Sequence, residues 1–340
     1  MRGSEVDVRG LKFLVTGGAG LVGGSICRSI AGSGGQVRAF DDLSAYPDES
    51  LRYLFDTDAG IDLIVGDIRD GAAMAAALRD QDVVIHAAAL ADVAACTRVP
   101  AECESVNVDG TATVLGAARR AGVRRAVFVS SASVYGNGGL GGDGPQVFAE
   151  SAAPDPISVY GRSKLAGERI ALAADAPDHT VVVRYFSVYG APQIPKEGSH
   201  SWAVAIFAMR AMLDLPIQLN GGGHQIRDFT HIDDIVEGTI RAAVTDRASG
   251  RIINIGNGIG TSICDVATEL AEYFPAMDVV STNMPAGDPA GGVADLEVCR
   301  GLLNWQPGVS FSEGVREYVD WISRNPSAIP AWLRVMAEGA

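Results

Sequence analysis

Short apolar runs alternate with longer amphipathic stretches through the first half of the chain. The runs fall at residues 11–15, 36–40, 63–65, 83–86, 126–130 and 180–184, and most of their side chains are apolar. Strands without polar alternation are buried on both faces, and strand–helix alternation predicts an α/β fold with a doubly wound parallel sheet covered by helices on both sides. Beyond residue 184 the pattern loosens. Helices are expected at 201–213, 233–244, 262–272 and 311–322, and strands at 217–219 and 252–255. This divides the chain into a main domain over 1–185 and a smaller α/β lobe over 186–340, with some segments returning to the main sheet.

A doubly wound sheet binds ligands beyond the carboxyl ends of its strands, so the residues that follow each run carry the information. The first run leads into Thr16-Gly17-Gly18-Ala19-Gly20-Leu21-Val22-Gly23 and then a helix-like stretch. Glycines let the backbone turn tightly and approach an anion, and the N-terminus of the following helix faces a pyrophosphate. The spacing G-x-x-G-x-x-G meets the general dinucleotide fingerprint only approximately. The second run ends in Asp41-Asp42, about 20 residues past the loop. An acid there bonds the adenosine ribose and repels a 2′-phosphate, which points to NAD rather than NADP.

After the third run, Asp67, followed by Ile68, either caps the next helix or reaches the adenine. After the fourth, Ala87-Ala88-Ala89 leaves room for a flat cofactor, while His86 reads as a satisfied core histidine. Residues 100–122 read as one long helix with Asn107 and Thr111 on one face, tying down a neighbouring loop or lining the site. The fifth run delivers Ser131-Ala132-Ser133. The glycine-rich stretch 137–144 then suggests a mobile loop at the site entrance. Within the next helix Tyr160 and Lys164 lie one turn apart, and an ammonium beside a phenol stabilises its phenolate. Such a pair moves a proton to or from a substrate hydroxyl.

Charge and cysteine content narrow the partners. Lys plus Arg number 27 against 41 Asp plus Glu, a net −14, which disfavours nucleic acid and anionic membranes. The five cysteines lack any C-x-x-C pair, and no histidine lies near Cys96 and Cys103, the closest two; reduced thiols, a cytoplasmic location and no metal are expected. Neither a signal peptide nor an apolar run of about 18 residues is present.

With these pieces in order, the sequence resembles the extended short-chain dehydrogenase/reductase family, and within it the nucleotide-sugar epimerases and dehydratases. The resemblance rests on 16–23, 41–44, Gly66-Asp67, 86–88, 107–111, 131–136, 160–164, 184–190 and 227–234, and covers roughly residues 11–310. It implies a Rossmann sheet and bound NAD. It assigns Ser131 to hold the substrate oxygen, Tyr160 as acid/base, and Lys164 to tune Tyr160 and bind the nicotinamide ribose. The implied cofactor set is Gly17, Gly20, Leu21, Val22, Gly23, Asp41, Asp42, Asp67, Ile68, Ala87, Ala88, Ala89, Asn107, Tyr160, Lys164 and Tyr185. Substrate contacts fall to Ser131, Ser133, Tyr160, Ser187 and Arg227, the last on a diphosphate; the alternative for Arg227 is a surface ion pair with Asp228 or Asp233.

Sugar 4,6-dehydratases carry Thr-Asp-Glu where this chain has Ser131-Ala132-Ser133, so the resemblance favours a 4-epimerase of a UDP-hexose or UDP-hexuronic acid. Ser187 replaces a common Asn, Pro192 a common Arg, and Pro285-Ala286-Gly287-Asp288 lacks the Arg of R-x-G-D. Lys196 is a candidate partner for a substrate carboxylate. Those departures keep a net dehydrogenase or reductase, or another dehydratase, as the alternative. A homodimer through 100–122 and 158–173 is expected from the family.

Overall fold

The computed structural model describes the chain except for residues 1–5, 56–59, 142–143, 174–176, 178, 200, 285–287 and 340. Its centre is a seven-stranded parallel sheet in the order Ile252–Ile255, Thr180–Tyr185, Arg125–Ser131, Val83–His86, Lys12–Thr16, Gln36–Asp41, Asp62–Val65. The apolar runs form these strands because each buries side chains on both sides. Phe13 and Val15 join the core on one face, while Leu14 joins that on the other. This is the two-residue period of a strand.

Order reverses at Lys12–Thr16, which has the second strand on one side and the fourth on the other. Thr16 stands opposite Phe40 and His86, and Ser131 opposite Tyr185. His86 in turn stands opposite Phe128, so Ser131 and Tyr185 lie three residues beyond the level of Thr16, and a ligand crevice is expected where the order reverses. The strand Ile252–Ile255 comes from the second half of the chain and closes one edge of the sheet. The remaining second-half strands form smaller sheets: Ser187–Tyr189 with Ile226–His231 and Gly260–Ser262, Ile217–Asn220 with Val279–Thr282, and Val293–Ala294 with the first-half strand Val147–Phe148.

Several expectations are corrected. The long helix is two, Pro100–Glu104 and Gly110–Ala121, joined by a π-helical turn at Ser105–Asp109. Such turns collect at functional sites. Asp70, not Asp67, caps the helix Gly71–Ala77, accepting from the N–H groups of Ala72 and Ala73 at 2.9 and 3.1 Å. Asp67 instead pairs with Arg69. Cys96 and Cys103 are joined as a disulfide, so the expectation of five reduced thiols fails. The helices Val93–Arg98 and Pro100–Glu104 bring these cysteines together in a way that spacing alone did not show.

The glycine-rich stretch is held rather than loose over its described residues, while 142–143 lie outside them. The N–H of Gly139 donates to Gly291 O at 2.8 Å, and that of Gly291 to Asn137 O at 2.9 Å. Among the described residues no helix is long and apolar enough to cross a membrane.

Candidate active site

The glycine loop is shaped by its neighbours. Gly17 has φ +69°, and a Cβ there would lie 2.8 Å from the N of Ala88, so only glycine fits. The N–H groups of Gly17 and Gly18 donate to Phe40 O, and the helix Leu21–Gly32 starts at Gly20, which has no side chain to occupy its N-terminus. A Cβ on Gly23 would meet Gly17 O at 2.0 Å, so helix and loop touch. Leu21 is buried and Val22 half-buried beneath the loop.

Asp41 closes the cradle from the second strand. Its Oδ2 accepts from the N–H of Ala19 at 3.0 Å and its Oδ1 from that of Leu43 at 2.8 Å. Burial pushes the carboxyl up, opposed by those two N–H groups. Asp42 is exposed and bonds Ser44. Ile68 is buried behind Gly110, and Ala87-Ala88-Ala89 follows the fourth strand, with Ala88 N against the Thr16 hydroxyl at 3.3 Å. A loop closed to any side chain at Gly17, an open helix start and a buried acid at the second strand's end together fit a dinucleotide.

His86 is satisfied. Its Nδ1 lies 2.8 Å from the Thr16 hydroxyl and its Nε2 2.9 Å from that of Thr111, and burial pushes it down to about 3. Asn107, on the π-helical turn, accepts from Leu90 N at 2.8 Å and donates to Ser163 Oγ at 2.9 Å. It ties the loop after the fourth strand to the helix Val159–Ala171.

That helix brings the proton-handling residues to the fifth strand. Ser158 caps it through Gly161 N at 2.9 Å, and at Gly161 a Cβ would sit 2.5 Å from Ser133 O, so the helix start rests on the turn after Ser131. The Ser131 hydroxyl donates to Ser133 Oγ at 3.1 Å and accepts from the Ser133 N–H, and it is near enough to the Tyr160 phenol to favour its ionised form. Lys164 lies 5.9 Å from the centre of the Tyr160 ring and donates to Val129 O at 2.8 Å. Burial pushes the phenol up to about 12, opposed by the Ser131 hydroxyl, and pushes the ammonium down to about 8, opposed by Glu168. Ser131, Tyr160 and Lys164 thus gather at the carboxyl end of the fifth strand, which the strand Val83–His86 separates from the one leading into the glycine loop.

Other assigned residues stand apart. Tyr185 is buried, with its hydroxyl 2.6 Å from that of Thr239. Arg227 is bonded to Asp288 at 2.5 Å and to the carbonyls of Ile226 and Pro289 at 2.8 and 2.9 Å, not to Asp228 or Asp233. Asp228 is buried, accepting from the N–H groups of Asn257, Gly258 and Ala294. Residues 285–287 of the variant R-x-G-D segment lie outside the described residues. Ser187 sits half-buried on its short strand, opposite Phe229. Lys196 lies 4.6 Å over the Tyr46 ring, where the acids it feels are Asp92, Asp41 and Asp42.

Sequence reasoning missed Glu168, Arg184 and Ser130 as a group. Glu168 Oε1 accepts from Ser130 Oγ at 2.6 Å and Arg184 Nε at 2.8 Å, and Oε2 from Arg184 Nη2 at 2.7 Å. The i, i+4 spacing of Glu168 from Lys164 was the available signal.

Comparison with known proteins follows this geometry. Residues 13–256 match the model of the NAD dependent epimerase/dehydratase family. A UDP-glucose 4-epimerase of Mycolicibacterium smegmatis is 31% identical, over 93% of this chain and 100% of that protein. The structure of MoeE5 in complex with UDP-glucose and NAD is 30% identical with a TM-score of 0.81, covering 93% of this chain and 99% of that one. UDP-glucuronic acid 4-epimerase from Bacillus cereus, in complex with UDP-glucuronic acid and NAD, is 28% identical with a TM-score of 0.81, covering 93% and 100%.

Proposed function

Since the chain belongs to the NAD dependent epimerase/dehydratase family, we propose that it is a nucleotide-sugar 4-epimerase acting on a UDP-hexose or UDP-hexuronic acid. The observation that carries the reading is the meeting of Ser131, Tyr160 and Lys164 on the sheet that also carries the glycine cradle, with no acid at 131–133 to eliminate water. The relatives that act on UDP-glucose and UDP-glucuronic acid support the substrate class.

Bound NAD supplies a hydride acceptor that also gives the hydride back. Residues 17–23 hold its pyrophosphate, Asp41 its ribose, and Lys164 the second ribose. The chain's own residues then handle the proton. Ser131 holds the sugar hydroxyl against Tyr160. Tyr160 takes that proton as the sugar is oxidised and returns it when the opposite face is reduced. Lys164 places a positive charge beside the phenol and makes the phenolate accessible. The keto sugar turns over between the two steps, so no net redox change results.

Purified protein incubated with UDP-glucose, UDP-glucuronate and their N-acetyl relatives converts at least one to its 4-epimer, resolved by chromatography. No 4-epimer across that panel overturns the proposal. A net dehydrogenase on another sugar is the second reading, and the pairing of Arg227 with Asp288 favours it, since it leaves less positive charge for a diphosphate. That reading requires a stoichiometric rise in nicotinamide absorbance with free NAD. Assembly as a homodimer through the helices of 100–121 and Val159–Ala171, and a cytoplasmic location, belong to the same proposal.

A further inference from the structure

Lys164 is 3% exposed, yet the carbonyl of Val129 that it bonds bears no net charge. A buried ammonium without a counter-ion gives up its proton. The groups that face it come from three elements. Tyr160 and Glu168 lie on its own helix, His86 reaches it from the fourth strand and is itself neutral, and the Phe128 ring lies 5.3 Å away on the fifth. Glu168 is the anion of this set. It is held in turn by Arg184 in a two-pronged bond and by Ser130, the residue before Ser131. Arg184 stacks 4.7 Å over the Tyr135 ring, whose hydroxyl donates to Asn254 at 2.7 Å. One chain of contacts therefore runs from the Tyr160 helix through the Ser131 strand and Thr180–Tyr185 to the edge strand Ile252–Ile255.

We infer that Glu168, fixed by Arg184, is a positioning residue of the Tyr160–Lys164 pair: its carboxylate is the buried counter-charge that keeps the Lys164 ammonium in place and locks the catalytic helix onto the strand ending at Ser131. The inference rests on the proposed reading of that pair as the proton-handling machinery. The carboxylate bonds Arg184 and Ser130 directly, while the buried Lys164 stands one helical turn away on the same helix, so two buried cations lie around a single anion. The arrangement retains a positive charge under Tyr160, which is what a phenol needs to release its proton.

The chain contains three lysines, Lys12, Lys164 and Lys196, so a protein labelled with carbon-13 at the lysine ε-carbon gives three resonances, and Lys164→Met assigns the one of interest. In the wild-type protein the Lys164 signal titrates near about 8. In Glu168→Gln it titrates at least about one pH unit lower. Because Glu168→Gln leaves Arg184 buried without its partner, the double variant Glu168→Gln/Arg184→Met removes both charges together and is tested beside it. Its Lys164 midpoint falls by less, since the Arg184 charge that offset the carboxylate is removed with it. Unmoved Lys12 and Lys196 signals report an intact fold. A Lys164 midpoint that stays in place in either folded variant overturns the inference, as does a wild-type midpoint below neutrality. The titration uses no sugar, so failure of the substrate proposal leaves its result standing.

Discussion

Burial moves Tyr160 and Lys164 in opposite directions, and the pH behaviour follows from that. With the phenol at about 12 and the ammonium at about 8, both groups carry their protons at neutral pH. Turnover needs Tyr160 without its proton, to take the sugar's, and Lys164 with its own, so kcat climbs with pH below about 8 and levels off above it as Lys164 discharges, a break that a kcat profile reads directly. Tyr160→Phe lowers kcat by about 10²–10⁴-fold with a smaller change in KM, because the lost group acts on the moving proton. A variant as active as the wild type contradicts the role. Tyr160 and Lys164 were legible as a pair one helical turn apart, while Ser131 entered through the family resemblance. Glu168 was not, since a glutamate on a helix reads as a solvated face until Arg184 and Ser130 are seen around it. The partner of Arg227 was hidden for another reason: Asp288 lies 61 residues away, and only the fold brings them together.

At the scale of elements, the six apolar runs became six strands with ends within a residue of expectation, because burial on both faces leaves a continuous apolar signature. Short strands of the second half were harder. Ser187–Tyr189 and Gly260–Ser262 are three residues each, too brief for any period to show. Helix ends were legible where a side chain caps them, yet the choice between Asp67 and Asp70 needed geometry. Asp70→Ala is expected to destabilise by about 1 kcal/mol through loss of the cap. Asp67→Ala, which removes a partly exposed pair with Arg69, is expected to cost less. Urea midpoints of the two variants decide it, and equal losses contradict the assignment. The π-helical turn at Asn107 had no warning in the sequence, since its residues suit an ordinary helix equally well.

For the whole molecule, the two halves are less separate than composition suggested. Ile252–Ile255 returns to pair with Thr180–Tyr185, and Tyr135 bonds Asn254 across that seam, so the second half completes the first. The net charge of −14 is compatible with a phosphate-bearing cofactor because the cradle works through backbone N–H groups and a helix N-terminus rather than through lysines. NAD together with the proposed acid/base tyrosine would make an enzyme that lends a hydride and takes it back. The direct test uses a UDP-sugar deuterated at carbon 4. The account predicts that the 4-epimer forms with the label retained on carbon 4 and no net rise in nicotinamide absorbance. Loss of the label to solvent, or a rise in absorbance matching the sugar consumed, contradicts it.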